Sequence, residues 1–204
     1  MLEKKRKFFL CRNTLVEMCT ERGYTTDQKV LSYDNFIAQF PSCDKDVNSI
    51  NFVCKNADNL VGIHFIDDEK IGKSSIEKVI ETYKSINIYH LILVINQKMS
   101  SASQNIVNVS DLKIEIFKDE ELMFNITKHV SVPRHRILND TEKNSILEKL
   151  KITVDQMPKI LKRDPVCRFL GAESGQVVEI TRKSRTAGES IFYKVVEDKI
   201  IKVL

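Results

Sequence analysis

The first 22 residues show apolar side chains at helical spacing. Phe8, Leu15 and Cys19 would share one side of a helix over residues 2–22. Gly23 follows, and glycine adopts the left-handed conformation that ends a helix with no steric penalty. The pattern therefore predicts one long N-terminal helix that stops at Gly23.

Strand-like and helical segments then alternate. The elements predicted are a helix over 32–40, strands over 50–54 and 61–66, a helix capped by Ser74 with Glu77, a strand over 88–95, a helix capped by Ser101 with Gln104, and a strand over 112–117. The strand over 88–95 is apolar almost throughout, as is typical of a strand buried on both faces. This alternation predicts a small α/β domain over residues 1–127.

The remaining residues, 128–204, have the pattern of a small α+β domain. The elements predicted are a connector over 125–133, a helix capped by Asp140 or Thr141, helical turns that begin at Pro158 and Pro165, a turn over 171–175, and an antiparallel pair of strands over 177–182 and 191–196 joined by a polar loop over 183–190. A domain this small has little core of its own, so we expect it to rely on a partner for part of its stability.

Charge divides the chain at the same place. Residues 1–125 carry 16 Lys and Arg against 18 Asp and Glu, whereas residues 126–204 carry 16 against 10. A basic C-terminal third suits nucleic acid or an acidic protein partner, and charge alone does not choose between them.

The five cysteines form no C-x-x-C pair, and the four histidines have no zinc-finger spacing. We therefore expect reduced thiols and no metal or other cofactor. The longest apolar run, residues 91–95, is far shorter than a membrane span. We expect a soluble, intracellular protein without a signal peptide or a membrane partner.

Enzyme motifs are scarce. The sequence has no G-x-S-x-G, P-loop or G-x-G-x-x-G motif, and it offers no site for a small-molecule substrate. A metal-dependent nuclease is the alternative left open, with candidate acids of three kinds. These are Asp67, Asp68 and Glu69 with Lys70; Glu115 with Lys118; and Glu197 and Asp198 with Lys199.

A phosphate-binding site is a milder possibility. Lys98, Ser100, Ser101 and Ser103 lie between a predicted buried strand and the start of a helix. Free backbone N–H groups at a helix start, assisted by hydroxyls and a lysine, bind phosphate. The alternative is that these serines only cap the helix.

The C-terminal motifs carry a resemblance to a known family. In order, they are Val132-Pro-Arg-His135, Gln156-Met-Pro-Lys-Ile160, Asp164-Pro-Val-Cys-Arg-Phe-Leu-Gly171, Gly175-Gln-Val-Val178, Ile180-Thr-Arg182, Ser184-Arg-Thr-Ala-Gly188 and Phe192-Tyr193. The chain resembles the fifth-largest subunit of eukaryotic nuclear RNA polymerases, whose C-terminal domain alone makes up the corresponding archaeal polymerase protein. Looser matches run through the first half, at Arg12, Met18, Arg22-Gly-Tyr24, Gly72, residues 91–95, Ser101-Ala102 and Asn125 to His129. Lys183, Arg185 and Cys167 depart from the residues common in the family.

The resemblance implies a non-catalytic subunit of a multisubunit DNA-dependent RNA polymerase. Its C-terminal assembly domain would dock on the largest subunit beside other polymerase subunits. The implied docking residues are Pro158, Asp164, Pro165, Arg168, Gly171, Gly175, Arg182, Ser184, Thr186, Ala187, Gly188 and Tyr193. A free transcription-factor adaptor that mimics the subunit is a further alternative.

The resemblance also implies that the N-terminal domain forms part of a jaw near downstream duplex DNA. Its fold would be like a restriction-nuclease core without the catalytic acids. Lys98, Ser100, Ser101 and Ser103 would then contact the DNA backbone without sequence readout. The Lys-, Asn- and Ile-rich composition suits a homologue from a large DNA virus of the African swine fever type, found in the host-cell viral factory and the virion. It also suits an AT-rich eukaryote, whose polymerase would be nuclear, and of the two origins we favour the viral one.

Overall fold

The structure, a computed structural model, describes residues 2–57, 59–184 and 188–198. The chain divides into two compact units, Met1–Phe124 and Asn125–Leu204, described here one at a time. Their division lies close to the boundary predicted between residues 127 and 128. An α/β first unit and a smaller α+β second unit confirm the predicted fold classes.

The first unit is a four-stranded sheet with helices around it. Its elements are α1 (Leu2–Glu21), α2 (Tyr33–Gln39), β1 (Phe52–Asn56), β2 (Asn59–Ile66), α3 (Lys73–Ser85), β3 (His90–Ile95), α4 (Ser101–Val109) and β4 (Lys113–Lys118), with 3-10 turns at Val47–Ile50 and Asp119–Leu122. The strand order is β1-β2-β3-β4; β1 pairs antiparallel with β2, and the other pairs are parallel. Strand β3 is buried from Leu91 to Ile95, as its unbroken apolar run predicts.

Two glycines shape this unit. Gly23 has φ +79°, and the N–H groups of Gly23 and Tyr24 donate to the carbonyls of Thr20 and Cys19. This is the hydrogen-bond pattern that ends a helix at a left-handed glycine, so α1 ends where the sequence predicts. Gly62 on β2 lies beneath the ring of Tyr83 on α3, where an added Cβ would lie 2.2 Å from Cε1 of that ring. Only glycine allows α3 to pack this close to the sheet.

The second unit is also built on four strands. Its elements are a 3-10 turn at Ile126–Lys128, β5 (Arg134–Ile137), α5 (Asp140–Leu150), a 3-10 turn at Val154–Gln156, β6 (Lys159–Leu161), α6 (Pro165–Leu170), β7 (Val177–Ser184) and β8 (Gly188–Glu197). The order is β5-β7-β8-β6; β7 pairs antiparallel with β5 and β8, and β6 runs parallel to β8. The predicted hairpin is therefore present, and its strands extend into the segment expected to be a polar loop.

The sheet of the second unit has a helix on each face. Val177 and Val195 pack with Ile146 and Leu147 of α5 on one face. Val178, Ile180 and Val196 pack with Cys167 of α6 on the other face. Both clusters lie at the end of the hairpin where β7 begins and β8 ends. The small core of this unit is thus split between two thin layers.

Several predicted helix caps are wrong by one or two residues. Helix α3 begins after Gly72 with no side-chain cap, so Ser74 and Glu77 form no capping box. Ser100 caps α4 in place of Ser101. Asn139 caps α5, in a capping box with Glu142, in place of Asp140 or Thr141. Serine, aspartate and asparagine suit this position about equally well, so neighbouring candidates cannot be ranked from sequence.

The prediction of a helical turn at Pro158 is also wrong, for a different reason. Pro158 begins no helical turn but precedes β6, and its carbonyl accepts a hydrogen bond from the N–H of Val195 at 2.9 Å. Proline has no backbone N–H, and neither the start of a helix nor the start of a short edge strand requires one. The sequence pattern at Pro158 is therefore compatible with both. Among the helices that the structure describes, none is both long and apolar enough to span a bilayer.

Candidate functional sites

The short helix α6 supplies the first group of predicted docking residues. The Asp164 carboxylate accepts hydrogen bonds from the N–H groups of Val166 and Cys167 at 2.9 and 3.4 Å, and Pro165 occupies the first helical position. Gly171 ends the helix with φ +70°. An aspartate cap, an N1 proline and a left-handed glycine define a helix of fixed length. The D-P-V-x-R motif therefore has a clear local structural role.

The turn after α6, together with Arg168 and Pro158, contains the remaining predicted docking residues near α6. Gly175 has φ +86°, and its N–H donates to the carbonyl of Val196 at 2.9 Å, so the turn returns the chain to the sheet. Arg168 is half-buried on α6, whereas Pro158 is exposed. These residues lie around one end of the sheet of the second unit.

The distal half of the β7–β8 hairpin supplies the second group. Arg182 is exposed, and Gly188 begins β8 in the left-handed region with φ +71°. A Cβ on Gly188 would meet nothing within 4 Å, so conformation rather than crowding requires glycine there. Ser184 is the last residue of β7. The side chain of Ser184 and all of Arg185, Thr186 and Ala187 lie outside the described residues.

Tyr193 belongs partly to the core. Its ring packs against the α5-facing cluster, and burial together with the nearby carboxylate of Glu179 raises the pKa of its hydroxyl. It is only partly exposed, whereas Ile191 and Phe192 before it on β8 are exposed. Tyr193 therefore contributes to folding of the second unit whatever else it contacts.

The most exposed large apolar side chains among the described hairpin residues are two that were not among the predicted docking residues, although Phe192 belongs to the Phe192-Tyr193 motif. Ile191 is 53% exposed and Phe192 is 51% exposed. Ile191 lies opposite Thr181 on the α5 side of the sheet, and Phe192 lies opposite Ile180 on the α6 side. Both side chains stay about half exposed, although Ile180, opposite Phe192, packs with Cys167 of α6. The sequence signal was available, because two adjacent apolar residues in a strand must point to opposite faces.

The predicted phosphate site lies at the carboxyl ends of the parallel strands of the first unit. The Ser100 hydroxyl accepts a hydrogen bond from the N–H of Ser103 at 3.2 Å. Lys98, Ser100 and Ser101 are exposed, and Lys98 and Ser100 line a groove of about 640 Å³ together with Gly72 and Lys118. Ligands of open α/β sheets gather at this edge.

Ser103 does not fit that prediction. It is fully buried, and its hydroxyl donates to the carbonyl of Ile71 at 3.0 Å while contacting the hydroxyl of Ser100 at 2.8 Å. It therefore ties α4 to the loop before α3 and has no access to a phosphate. The interpretation of Ser103 as a DNA contact is wrong, and among these serines the capping alternative describes Ser100, not Ser103.

Three of the carboxylates considered for a nuclease centre are held by other side chains: Asp67, Glu115 and Glu197. Asp67 forms an ion pair with Lys4 and accepts a hydrogen bond from Asn96 at 3.0 Å. Glu197 pairs with Lys159 at 2.5 Å. Among the described residues, no three His, Cys, Asp or Glu side chains are grouped to hold a metal ion. Lys199 lies outside the described residues.

Glu115 is the most strongly bound of these acids. Arg22 donates to both its carboxylate oxygens at 2.9 and 2.8 Å, and Nε2 of His90 lies 2.7 Å from Oε1. Burial alone would raise the pKa of this carboxyl, but the hydrogen bond with His90 and the charge of Arg22 lower it to about 2. The Arg22-Gly-Tyr24 motif thus anchors the end of α1 to β4.

Arg12 is a second buried cation that sequence alone did not place. It is 1% exposed and stacks on the rings of Phe40 and Phe52, 4.8 and 5.3 Å from their centroids. Its guanidinium donates to Gln28, while Nε and Nη1 lack a hydrogen-bond partner. All five cysteines are buried and free, as expected for reduced thiols.

The two units show two contrasting features. In the first unit Asp67 and Glu115 are held by other side chains of the chain, and the second unit exposes apolar side chains on both faces of a hairpin. Exposed apolar surface of this kind is typical of the class of proteins that bind other proteins.

Comparison with known proteins gives the family. Residues 124–196 match the model for RNA polymerase Rpb5, C-terminal domain, and residues 3–83 match the model for RNA polymerase Rpb5, N-terminal domain. The chain belongs to the RNA polymerase Rpb5 family, as its motifs predict.

Similar full-length proteins come from plants, animals and amoebae. The chain is 30% identical to DNA-directed RNA polymerases IV and V subunit 5B of Arabidopsis thaliana, over 93% of this chain and 89% of that protein. It is 35% identical to DNA-directed RNA polymerases I, II, and III subunit RPABC1 of Caenorhabditis elegans, over 91% and 93%. It is 29% identical to the corresponding subunit rpabc1 of Dictyostelium discoideum, over 95% and 99%.

Proposed function

We propose that this chain is a non-catalytic subunit of a multisubunit DNA-directed RNA polymerase and that its second unit docks on the largest subunit. Membership of the Rpb5 family supports the first part, and relatives that match along nearly their whole length are themselves named polymerase subunits. Catalysis would belong to the complex, and this chain would contribute contacts.

The observation that carries the docking proposal is the uncovered half of the β7–β8 hairpin. Ile191 and Phe192 expose apolar surface on opposite faces of the sheet, and each side chain is about half exposed. Apolar surface at such a place gains stability when a second protein excludes water from it. The α6 motif and its glycines would hold the neighbouring surface in a fixed shape for the same partner.

Docking is tested by capture of the tagged full-length chain from its source organism. We expect the largest polymerase subunit in a one-to-one ratio, together with the other subunits. A chain recovered alone, with no polymerase subunit in any fraction, would contradict the proposal. Binding to a single transcription factor instead would favour the adaptor alternative.

The first unit, in this proposal, forms part of a jaw beside downstream duplex DNA. Its mixed sheet with flanking helices is compatible with a restriction-nuclease-like core, and two of its candidate acids, Asp67 and Glu115, are engaged in ion pairs. Lys98, Ser100 and Ser101 would contact the phosphate backbone, since they are exposed at the start of α4. Such contacts position DNA and carry no sequence information.

The DNA contact is tested in the assembled polymerase. Lys98→Glu should weaken binding to downstream duplex of any sequence and should reduce the slope of log affinity against log salt by about one. Lys78→Glu is the matched control, because Lys78 is also exposed but lies on α3, away from the groove. Equal effects of both changes would show a general charge effect and no specific contact.

Location follows from origin in this proposal. The relatives described above belong to cellular eukaryotes, which favours a nuclear polymerase. A virus-encoded chain would be found in cytoplasmic viral factories and in virions. Immunofluorescence of the tagged chain in its native cell distinguishes the two, since nuclear staining excludes the viral-factory location.

A further inference from the structure

The hairpin of the second unit has an incomplete edge on the side of β5. Strand β5 pairs with β7 only from Arg134, opposite Thr181, to Ile137, opposite Val178. Strand β7 continues to Ser184 beyond that point. Pro133 precedes β5 and has no N–H to extend the ladder. The last part of β7 therefore has a neighbour strand on the β8 side only.

The direction of the backbone groups on β7 follows from two hydrogen bonds. The N–H of Leu138 donates to the carbonyl of Val177, and the N–H of Val196 donates to the carbonyl of Gln176. In an antiparallel ladder successive residues direct their N–H and C=O groups to alternate neighbours. Odd-numbered residues of β7 thus face β5, and even-numbered residues face β8.

Lys183 is then the residue with an open backbone. Its N–H and C=O point to the β5 side, one step past the pair formed by Thr181 and Arg134. In the part of the chain that the structure describes, no strand lies opposite Lys183 on that side. By contrast, Arg182 faces β8 and pairs with Ser190. An open N–H and C=O at a sheet edge are a template for another strand.

A groove of about 990 Å³ runs beside this edge, between the end of β7 and the segment before β5. Its cations are Arg134, Arg182 and Lys183, against the single carboxylate of Glu189. Ile191 gives the groove an apolar wall and is half exposed. The groove therefore combines positive charge, apolar surface and an unpaired backbone.

The cations of this groove differ from others in the same unit. Arg136, also on β5, lies 2.6 Å from a carboxylate oxygen of Glu142 and 3.2 Å from one of Glu179. Lys162 lies 2.6 Å from Glu173. Within the described residues the structure shows no ion pair of this kind for Arg134 or Lys183, although Glu189 lies opposite Lys183 in the hairpin. Their charges are available to a carboxylate supplied by another chain.

We infer that this groove binds an extended, acidic and partly apolar segment of a partner protein, which adds as a short strand beside Lys183. Its backbone pairs with Lys183, its carboxylates meet Arg134 and Lys183, and an apolar side chain covers Ile191. Nucleic acid fits less well, because a phosphate backbone makes no use of an open sheet edge or an apolar wall. The inference rests on the proposed docking and assigns the segment to the largest polymerase subunit.

Two measurements on the full-length chain with purified largest subunit test this inference. Arg134→Glu should weaken the affinity at least tenfold in 0.1 M salt and by much less in 0.5 M salt, since screening reduces the charge term. The control Lys149→Glu reverses an exposed charge on α5, outside the groove, and should leave the affinity unchanged. Thermal unfolding of each variant verifies that both remain folded.

Site-resolved hydrogen exchange tests strand addition directly. In the free chain the amide of Lys183 should exchange quickly and that of Arg182 slowly. In the complex the Lys183 amide should become at least tenfold slower, with little change at Arg182. The inference is overturned if the Lys183 amide still exchanges quickly in the complex and Arg134→Glu binds the largest subunit as tightly as the wild type does. Docking itself would remain supported by that result.

Two other outcomes are distinct from these. If the wild-type chain does not bind the largest subunit at all, the proposed function itself fails. If Arg134→Glu weakens binding to a 20-residue single-stranded or duplex DNA probe but not to the largest subunit, the groove is a nucleic-acid site and the inference is overturned.

Discussion

The interior strands of the two sheets, β3 and β8, place their apolar residues differently. Strand β3 is apolar from Leu91 to Ile95 and is buried along that length by helices of its own unit. Strand β8 buries Val195 and Val196 but leaves Ile191 and Phe192 half exposed. The first sheet is completed within the chain, whereas the second has room for another protein.

The ion pairs of the two units also differ in burial. Arg22 and Glu115 of the first unit are mostly buried and form a bidentate pair, with His90 as a third member. In the second unit Arg136 is nearly half exposed in its ion pairs. A self-contained unit can be damaged by small internal changes, whereas the hairpin of the second unit should tolerate changes to its surface.

The largest expected effect is at the closest contact of the first unit. Gly62→Val should lower the free energy of unfolding by about 3 kcal/mol, because its side chain would overlap the ring of Tyr83. Urea titration followed by circular dichroism measures this. Gly72→Ala is the control, since a Cβ there meets nothing within 4 Å, and it should cost less than about 1 kcal/mol. Equal losses would show that the contact is not tight.

Breaking the buried ion pair should cost somewhat less. Glu115→Gln leaves the Arg22 guanidinium buried without its countercharge, and we expect a loss of about 2 kcal/mol. Arg136→Met in the second unit removes exposed ion pairs and should cost less than about 1 kcal/mol. Comparable effects in urea titrations of the two variants would remove the contrast between the units.

We expect low pH to destabilise the first unit, because the unfolded chain takes up a proton on His64 more readily than the folded chain does. Burial lowers the pKa of its imidazole from 6.5 to about 4, against the opposing charge of Asp68. Between those values the unfolded chain takes up a proton that the folded chain does not, so stability is full above pH 6.5 and declines toward pH 4. We expect a loss of about 1–2 kcal/mol between pH 7 and pH 5, measured by urea titration.

His64→Gln supplies the check on that interpretation. Its stability should change much less between pH 7 and pH 5, because no imidazole is present to titrate. Glu115 does not confuse the result, because its pKa is lowered to about 2 and its contribution declines only below its unfolded value near 4.5. An unchanged pH slope in His64→Gln would assign the effect to other groups.

The smallest effect on stability should be on the hairpin. Phe192→Ser removes a side chain that is already half exposed and should cost less than about 1 kcal/mol. Val195→Ser, three positions along the same strand, empties a buried site and should cost about 3 kcal/mol. Thermal unfolding of both variants makes the comparison. A large loss for Phe192→Ser would mean that the chain itself covers this residue.

Sequence predicted the helices and strands far better than the sites. Strand β3 and the end of α1 at Gly23 were predicted because long apolar runs and left-handed glycines have few alternative structures. The burial of Ser103 was not predicted. A serine at the third position of a helix has the same local sequence pattern whether its side chain faces solvent or the loop before α3. The ion pair of Arg22 with Glu115 joins residues distant in sequence, and spacing carries no signal for it.

The docking residues show the same limit. Motifs selected Asp164, Pro165 and Gly171, whose roles within the chain are local and visible. They did not place Ile191 or Phe192 among the docking residues, although Phe192-Tyr193 is one of the family motifs, because exposure depends on how the helices pack on the sheet. Whether a strand residue is covered is a tertiary property, so the sequence pattern predicted the hairpin but not its open half.

The most direct test of the central claim measures docking with the hairpin altered and the fold intact. The double variant Ile191→Ser/Phe192→Ser should bind the largest polymerase subunit at least tenfold more weakly than the wild-type chain, because the apolar contact is lost on both faces. Leu150→Ser, which removes a similarly exposed apolar residue at the end of α5, should bind as the wild type does. Undiminished binding by the double variant, with an unchanged melting temperature, would contradict docking through the hairpin.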